Sequence, residues 1–323
     1  MIRAVEAPSI DEIRAAESRL NDLALRTPLI RLNYPDTSTE IYLKLENLQP
    51  VGVFKIRCIG NILKSTDAQK LRRGICTASS GNSGLALAWL ARRLDIPATV
   101  FMPETAPEDK RASIKQMGAE IKVLPYEDWW DIICKHGLPG EQGLYIDAVC
   151  NPAAIAGNAT IALEILHDLP DVDTIVVPFG GGGVSCGIAS AVRALKPDTC
   201  VLAAESEMST PFKSALEAGQ VVAVDHEPSF ISGIGSVSLL PEMWPLARHL
   251  LDGSIVSSLS AVANAVRILF ESNRVVAEGA GATALAAALS LKASGPIVCV
   301  ITGGNIDKAD MVTILEGGIP AMP

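Results

Sequence analysis

One lysine stands in a setting unlike that of an ordinary surface charge, within Lys44-Leu45-Glu46-Asn47-Leu48-Gln49-Pro50-Val51-Gly52-Val53-Phe54-Lys55-Ile56-Arg57. Apolar alternation over Ile41 to Leu45 reads as a strand, Pro50 and Gly52 break it, and Phe54-Lys55-Ile56-Arg57 opens a helix. Burial there favours the neutral amine, the form that condenses with an aldehyde to a Schiff base. A second stretch, Pro178-Phe179-Gly180-Gly181-Gly182-Gly183, follows an apolar strand and precedes a helix. Four glycines leave consecutive N–H groups free to curl round an anion, and the helix start adds partial positive charge. Thr77-Ala78-Ser79-Ser80-Gly81-Asn82-Ser83-Gly84 occupies another strand-to-helix junction, and Ile301-Thr302-Gly303-Gly304-Asn305 ends a third strand. Glu278, in Glu-Gly-Ala-Gly, is a carboxylate at a helix start.

Taken in this order, the four stretches resemble the fold-type II pyridoxal-phosphate enzymes, specifically the serine/threonine dehydratase and serine racemase branch. The resemblance runs from about Arg26-Thr27-Pro28-Leu29 to Asn305. It implies an α/β fold of the tryptophan synthase β type: two three-layer αβα domains with the site in the crevice between them. The large domain would comprise residues 1–73 and 149–323, and 74–148 would form a small inserted domain.

The resemblance also assigns roles. Lys55 would carry pyridoxal 5'-phosphate and then take the substrate α-proton, with Phe54 packed against the cofactor. Gly180, Gly181, Gly182, Gly183 and Val184 would hold its phosphate, Asn82 its ring hydroxyl, and Thr302 its pyridine nitrogen, with Glu278 nearby. A hydroxyl beside that nitrogen leaves it largely unprotonated, which favours a short-lived carbanion that expels a β-substituent. Ser79, Ser80, Asn82 and Ser83 would hold the substrate carboxylate, and Ser80 would face Cα from the side opposite Lys55. The implied activity is elimination of water from a β-hydroxy amino acid such as L-threonine or L-serine, giving a 2-oxo acid and ammonia. Racemisation of serine or aspartate is the alternative, as is a dehydratase for a larger substrate such as phenylserine or 3-hydroxyaspartate. A homodimer is the implied assembly. The sequence departs from the family at Val53, Cys58 and Ser83, and at Asp147-Ala148-Val149-Cys150-Asn151. Glu205 matches a position where the family often places a divalent-cation ligand, but Pro211 stands where the next carboxylate belongs. Glu205 thus stays a candidate cation ligand that lacks the second carboxylate the family pattern supplies, which makes the divalent cation doubtful.

The elements that must position these residues alternate. Ser9-Ile10-Asp11-Glu12 is a capping box that opens a helix to about Leu23. Helix is expected over Gly60 to Arg73, Leu85 to Leu94, Pro107 to Met117, Pro152 to Asp168, Val184 to Leu195, Leu259 to Ser272 and Gly281 to Leu291. Strands are expected at Ile75 to Ala78, Ala98 to Met102, Glu120 to Leu124, Thr174 to Val177, Cys200 to Ala204 and Ile297 to Ile301. Such alternation implies parallel sheets with right-handed crossovers, and a site at strand C-terminal ends.

Composition bounds the rest. Hydrophobic residues at 49% and charged residues at 20% exclude a disordered chain. A net charge of −9 argues against nucleic-acid or anionic-membrane surfaces. The seven cysteines are scattered without a Cys-x-x-Cys, which points to free thiols in a reducing, cytoplasmic setting. The dinucleotide spacing of glycines is absent, and Gly187 is followed by Ile188 where a P-loop needs lysine, so neither nucleotide motif applies.

Overall fold

The computed structural model describes residues 4–321 apart from 36, 38 and 107. Helix α1 (Ile10–Leu20) starts at the Ser9 capping box, both halves of which form. Strands β1 (Leu29–Arg31) and β2 (Ile41–Lys44) make an antiparallel pair. Helix α2 (Lys55–Ser65) begins at the lysine, and α3 (Ala68–Leu71) follows after a break at Thr66. The break has a local cause: Asp67 caps α3 by accepting from the N–H of Gln69, so the expected single helix over 60–73 is two.

The chain then runs β3 (Ile75–Ala78), α4 (Asn82–Leu94), β4 (Ala98–Pro103), α5 (Glu108–Gln116), β5 (Glu120–Leu124), α6 (Tyr126–Cys134) and β6 (Leu144–Tyr145). Pro107, where α5 was expected to start, lies outside the described residues. Next come α7 (Pro152–Asp168), β7 (Thr174–Pro178), α8 (Gly183–Leu195), β8 (Cys200–Ser206), α9 (Pro211–Ala218), α10 (Trp244–Leu250) and β9 (Gly253–Ser257). The last elements are α11 (Leu259–Asn273), α12 (Gly279–Ala288), β10 (Ile297–Val300) and α13 (Lys308–Leu315). Short β1, β6 and β9, and helices α9, α10 and α13, were not anticipated.

Two sheets result. One has the order β5-β4-β3-β6, all parallel, and draws only on the chain between Ile75 and Tyr145. The other has the order β1-β2-β10-β7-β8-β9, parallel except for β1. Alternation along its strands covers both faces: Ile297 and Cys299 pack with residues of α11 and α12, Val298 and Val300 with residues of α2, α7 and α8. The register Val300 with Lys44 and Pro178 with Ala204 brings the carboxyl ends of β2, β10, β7 and β8 to one edge. All seven cysteines are free thiols. Among the described residues no helix is long and apolar enough to cross a membrane.

Two glycines let helices cross closely behind that edge. A Cβ on Gly157 of α7 would meet the carbonyl of Arg57 on α2 at 2.4 Å, and one on Gly187 of α8 would meet the carbonyl of Ile155 on α7 at 2.7 Å. Three helices thus form one tightly spaced layer, with the lysine and the glycine run at helix starts. Arg57 locks the first crossing. Its buried guanidinium spans Glu46, through bonds of 2.8 Å to each oxygen, and Glu164 of α7, at 2.7 and 2.9 Å. Thr27 donates its hydroxyl to Glu46 at 2.6 Å, and buried Lys44 pairs with Glu164. Burial alone would raise the Glu46 carboxyl, but the Arg57 guanidinium and the Thr27 hydroxyl hold it below its ordinary 4.5.

Arg57→Ala should therefore leave Glu46 buried without its counter-charge, at a cost of about 3–5 kcal/mol in urea unfolding. A loss under about 1 kcal/mol would show that the pair is not structurally required. Because Glu46 titrates lower when folded than unfolded, its contribution is present above pH 4.5 and disappears as pH falls through the folded value.

Candidate active site

Lys55 is delivered by a strained turn. After β2 the chain makes two short 3-10 turns, Glu46–Leu48 and Pro50–Gly52. Val51 there holds φ at +56°, costly for a β-branched residue, and Gly52 follows at +72°. Asn305 keeps the turn in place, its amide nitrogen donating to the Val51 carbonyl at 2.9 Å. Val53 then bridges to Gly303, and the Phe54 N–H donates to the carbonyl of buried Thr302 at 3.0 Å. Lys55 opens α2 half-buried, with its ammonium nitrogen 4.9 Å from the centroid of the Phe54 ring. Thr302 and Lys55 are thus neighbours because β10 and β2 are.

The second wall is a chain of amides ending on a carboxylate. The same Asn305 nitrogen donates to the Asn82 side-chain oxygen at 2.9 Å, and Asn82 donates to Glu278 at 2.6 Å. Glu278 precedes α12 yet makes no capping bond to it, and turns into the site instead. A Cβ on Gly303 would lie 2.4 Å from its Oε1, so a glycine is required there. Burial pushes the Glu278 carboxyl up, with Lys110 and Asn82 opposing. One amide hydrogen of Asn82 is left for a further acceptor.

Ser79 is buried, and its hydroxyl accepts from the Gly81 N–H at 3.1 Å, fixing the loop. Ser83 lies half-buried in the first turn of α4. Ser80 and Asn82 line a cavity of about 1140 Å³ that is also bounded by Tyr126, Trp129 and Trp130 of α6 and by Lys110. Lys55, Thr302 and the glycine run are not among its lining. The segment Phe230 to Gly235 connects the two regions. A Cβ on Gly180 would lie 3.4 Å from the Cα of Ile234, and one on Gly233 would lie 3.3 Å from Glu278. Lys110 reaches Ser232 in the same segment at 3.3 Å. Lacking regular periodicity, this segment carries no sequence signal; only its position reveals it.

The glycine run fits an anion. Gly182 has φ +88°, and a Cβ on Gly181 would lie 2.7 Å from a methyl of Val149. The Val149 carbonyl stands 3.2 Å from where a Gly183 Cβ would be. α8 starts at Gly183, so the N–H groups of its first turn, Val184 included, have no partner within the helix. The Ser185 hydroxyl returns to the Pro178 carbonyl at 3.1 Å and pins the turn. A phosphate fits this cradle, and the half-buried lysine, two strands over beyond β10, suits an aldehyde.

Glu205 is used differently. Fully buried in β8, it accepts from the N–H groups of Phe212 and Lys213 at 2.8 and 2.9 Å and from the Ser254 hydroxyl, so it caps α9. Burial raises its carboxyl. The helix-capping role follows from these contacts.

A lysine reached from the carboxyl end of β2 and a glycine cradle at the carboxyl end of β7, with β10 between the two strands and a second parallel sheet beside them, define the architecture of the fold-type II pyridoxal-phosphate enzymes. The chain belongs to the pyridoxal-phosphate dependent enzyme family, whose sequence pattern matches residues 20–303. It is 35% identical over 316 residues to an L-threonine ammonia-lyase of Geobacter sulfurreducens, covering 96% of this chain and 78% of that one. It is 36% identical to the catabolic L-threonine dehydratase of Escherichia coli K12, covering 93% of each. Among solved structures it is similar to maize serine racemase, with a TM-score of 0.88 and 30% identity over 97% of this chain and 98% of that one.

The contact of Gly181 with Val149 complicates the simplest test of the cradle, since any side chain there collides. Gly181→Asp and Gly181→Asn share that collision and differ in charge. Gly181→Asp should bind pyridoxal phosphate at least about tenfold more weakly than Gly181→Asn, through like-charge repulsion. Equal affinities in a cofactor titration would show that the loop does not face the phosphate.

Proposed function

We propose that this enzyme eliminates water from a β-hydroxy amino acid, with L-threonine or L-serine as the default substrate, giving a 2-oxo acid and ammonia. The observation that carries the reading is the buried hydroxyl-bearing Thr302, joined through its backbone to Phe54 and so set beside Lys55. The 35–36% identity to the two threonine-deaminating relatives supports it.

Pyridoxal phosphate, when bound, supplies an aldehyde for the substrate amine and a conjugated ring that draws electrons from Cα. Gly180 to Gly183 and Val184 hold its phosphate, Phe54 packs against it, and the free amide hydrogen of Asn82 is available to its ring hydroxyl. Lys55 anchors it and then accepts the proton from Cα. The Cα–H electrons move into a Cα–Cβ double bond, the Cβ–O bond breaks, and the hydroxyl leaves as water after gaining a proton. The enamine product takes up water and releases ammonia. Ser79, Ser80 and Ser83, with the N–H groups of their loop, hold the substrate carboxylate.

Racemisation is the second reading. It needs a proton donor facing Cα opposite Lys55, and Ser80, which lines the cavity, is the candidate. The aromatic wall of α6 leaves room for a 3-aryl or 3-carboxy substituent. We assign residues 74–148 to a small domain inserted in a large one (1–73 and 149–323), because one sheet draws wholly on that segment. A cytoplasmic homodimer completes the proposal.

Lys55→Ala should keep the fold but lose turnover by roughly a thousandfold or more. Turnover retained without added amine would sink the assignment. Ser80→Ala separates the two reactions. It should abolish production of the other enantiomer while elimination from L-substrates stays within roughly tenfold, about 1.4 kcal/mol of barrier. Loss of elimination with the cofactor still bound would overturn this division between Lys55 and Ser80.

A further inference from the structure

The segment 147–151 contributes Asp147 and Cys150 to a cluster that the elimination reaction does not use. Among the described residues, His136, Cys150 and Glu242 place one ligand atom each within 4.8 Å of one another. The three come from different parts of the fold: the turn after α6, the loop entering α7, and the loop before α10.

A single carboxylate arranges two of them. Asp147 Oδ2 bonds His136 Nδ1 at 2.7 Å, while its Oδ1 accepts from the N–H groups of Val149 and Cys150 at 2.8 and 2.9 Å. With Nδ1 engaged, Nε2 is left facing Glu242 Oε1 at 3.5 Å. A carboxylate behind one imidazole nitrogen is the usual support for a histidine that ligates through the other. The 3.5 Å gap is also informative. It is an ion-pair distance when the histidine is protonated, and it is also close to the edge of about 3.3–3.4 Å that follows from tetrahedral bonds of about 2.0–2.1 Å to zinc. The thiol, imidazole and carboxylate together are a mixed S, N and O donor set suited to zinc rather than to magnesium or calcium.

We propose that His136 Nε2, Cys150 Sγ and Glu242 bind one Zn²⁺, with Asp147 orienting the histidine and a fourth position open. Binding releases the thiol proton of Cys150 and the Nε2 proton of His136 to solvent, and no redox change occurs. The site is separate from Glu205, which caps a helix. Its position gives it a structural consequence. Val149, held by the same Asp147, packs against Gly181 of the phosphate cradle. The ion would therefore tie the end of α6 to the loop that backs the cofactor.

The test uses the intact holoenzyme without substrate, stripped of metal and dialysed against Zn²⁺. One zinc per chain is expected. Cys150→Ser and Glu242→Gln should each weaken binding at least about tenfold, and Asp147→Asn should weaken it about 10–100-fold through the histidine. Cys134→Ser, which removes an exposed thiol two residues before His136, should leave binding unchanged. With Cd²⁺ in place of Zn²⁺, the ultraviolet thiolate-to-metal band should form in the native protein and be missing in Cys150→Ser. That conservative variant should retain the visible absorbance of bound cofactor, which reports its folding independently. Less than stoichiometric zinc, affinity that follows Cys134 instead of Cys150, or a cadmium band that survives Cys150→Ser would each overturn the proposal.

Discussion

The grip of one buried guanidinium on two carboxylates underlies the placement of Lys55. Arg57 stands two residues after Lys55 on the first turn of α2, and both of its faces are committed, to Glu46 and to Glu164. Glu46 comes from the turn that precedes the lysine and Glu164 from α7, so the contact fixes the start of α2 against two neighbours at once. Lys44 adds a second cation to the same pair of carboxylates, which leaves the cluster balanced in charge. Such a cluster contributes little net stability compared with a well-packed apolar core, since desolvation offsets the attraction. Its use is positional: rotating α2 would strand a buried charge.

The opposite wall follows a related logic with uncharged groups. A single amide nitrogen of Asn305 serves both the strained Val51 carbonyl and the Asn82 oxygen, and Asn82 passes the contact on to Glu278. The unfavourable Val51 conformation is held by tertiary contacts, as strain at functional sites generally is. Glycines 52 and 303 make room for these side chains, and 157 and 187 for the helix crossings. The site is thus shaped as much by where side chains are missing as by those that are present.

Much of this was legible in the sequence, for identifiable reasons. The glycine run, the Asn82 loop and the Thr302 turn lie directly after strands whose apolar character is continuous and local, Lys55 follows β2 through two short turns marked by Pro50 and Gly52, and those strands form where expected. The capping box at Ser9 is a short-range pattern and forms as read. What was hidden depends on distance along the chain. Arg57 and Glu164 are 107 positions apart, and nothing in either neighbourhood announces the pairing. β6 is two residues long and β9 begins at a glycine with φ +153°, so neither shows enough alternation to register. The helix-start carboxylate at Glu278 faces the site rather than its helix, because Asn82 offers it a better partner than its own backbone does. Glu205 shows the reverse, a carboxylate with a ligand-like position whose oxygens cap a helix.

The account as a whole turns on Lys55 being the residue that carries the cofactor. Reduction of the holoenzyme with borohydride, followed by proteolysis and mass spectrometry, reads this directly. The account predicts a single phosphopyridoxyl-modified peptide containing Phe54-Lys55-Ile56, and none after reduction of Lys55→Ala. Modification at Lys110, the lysine of the adjoining cavity, or at any other lysine in the native protein would contradict it.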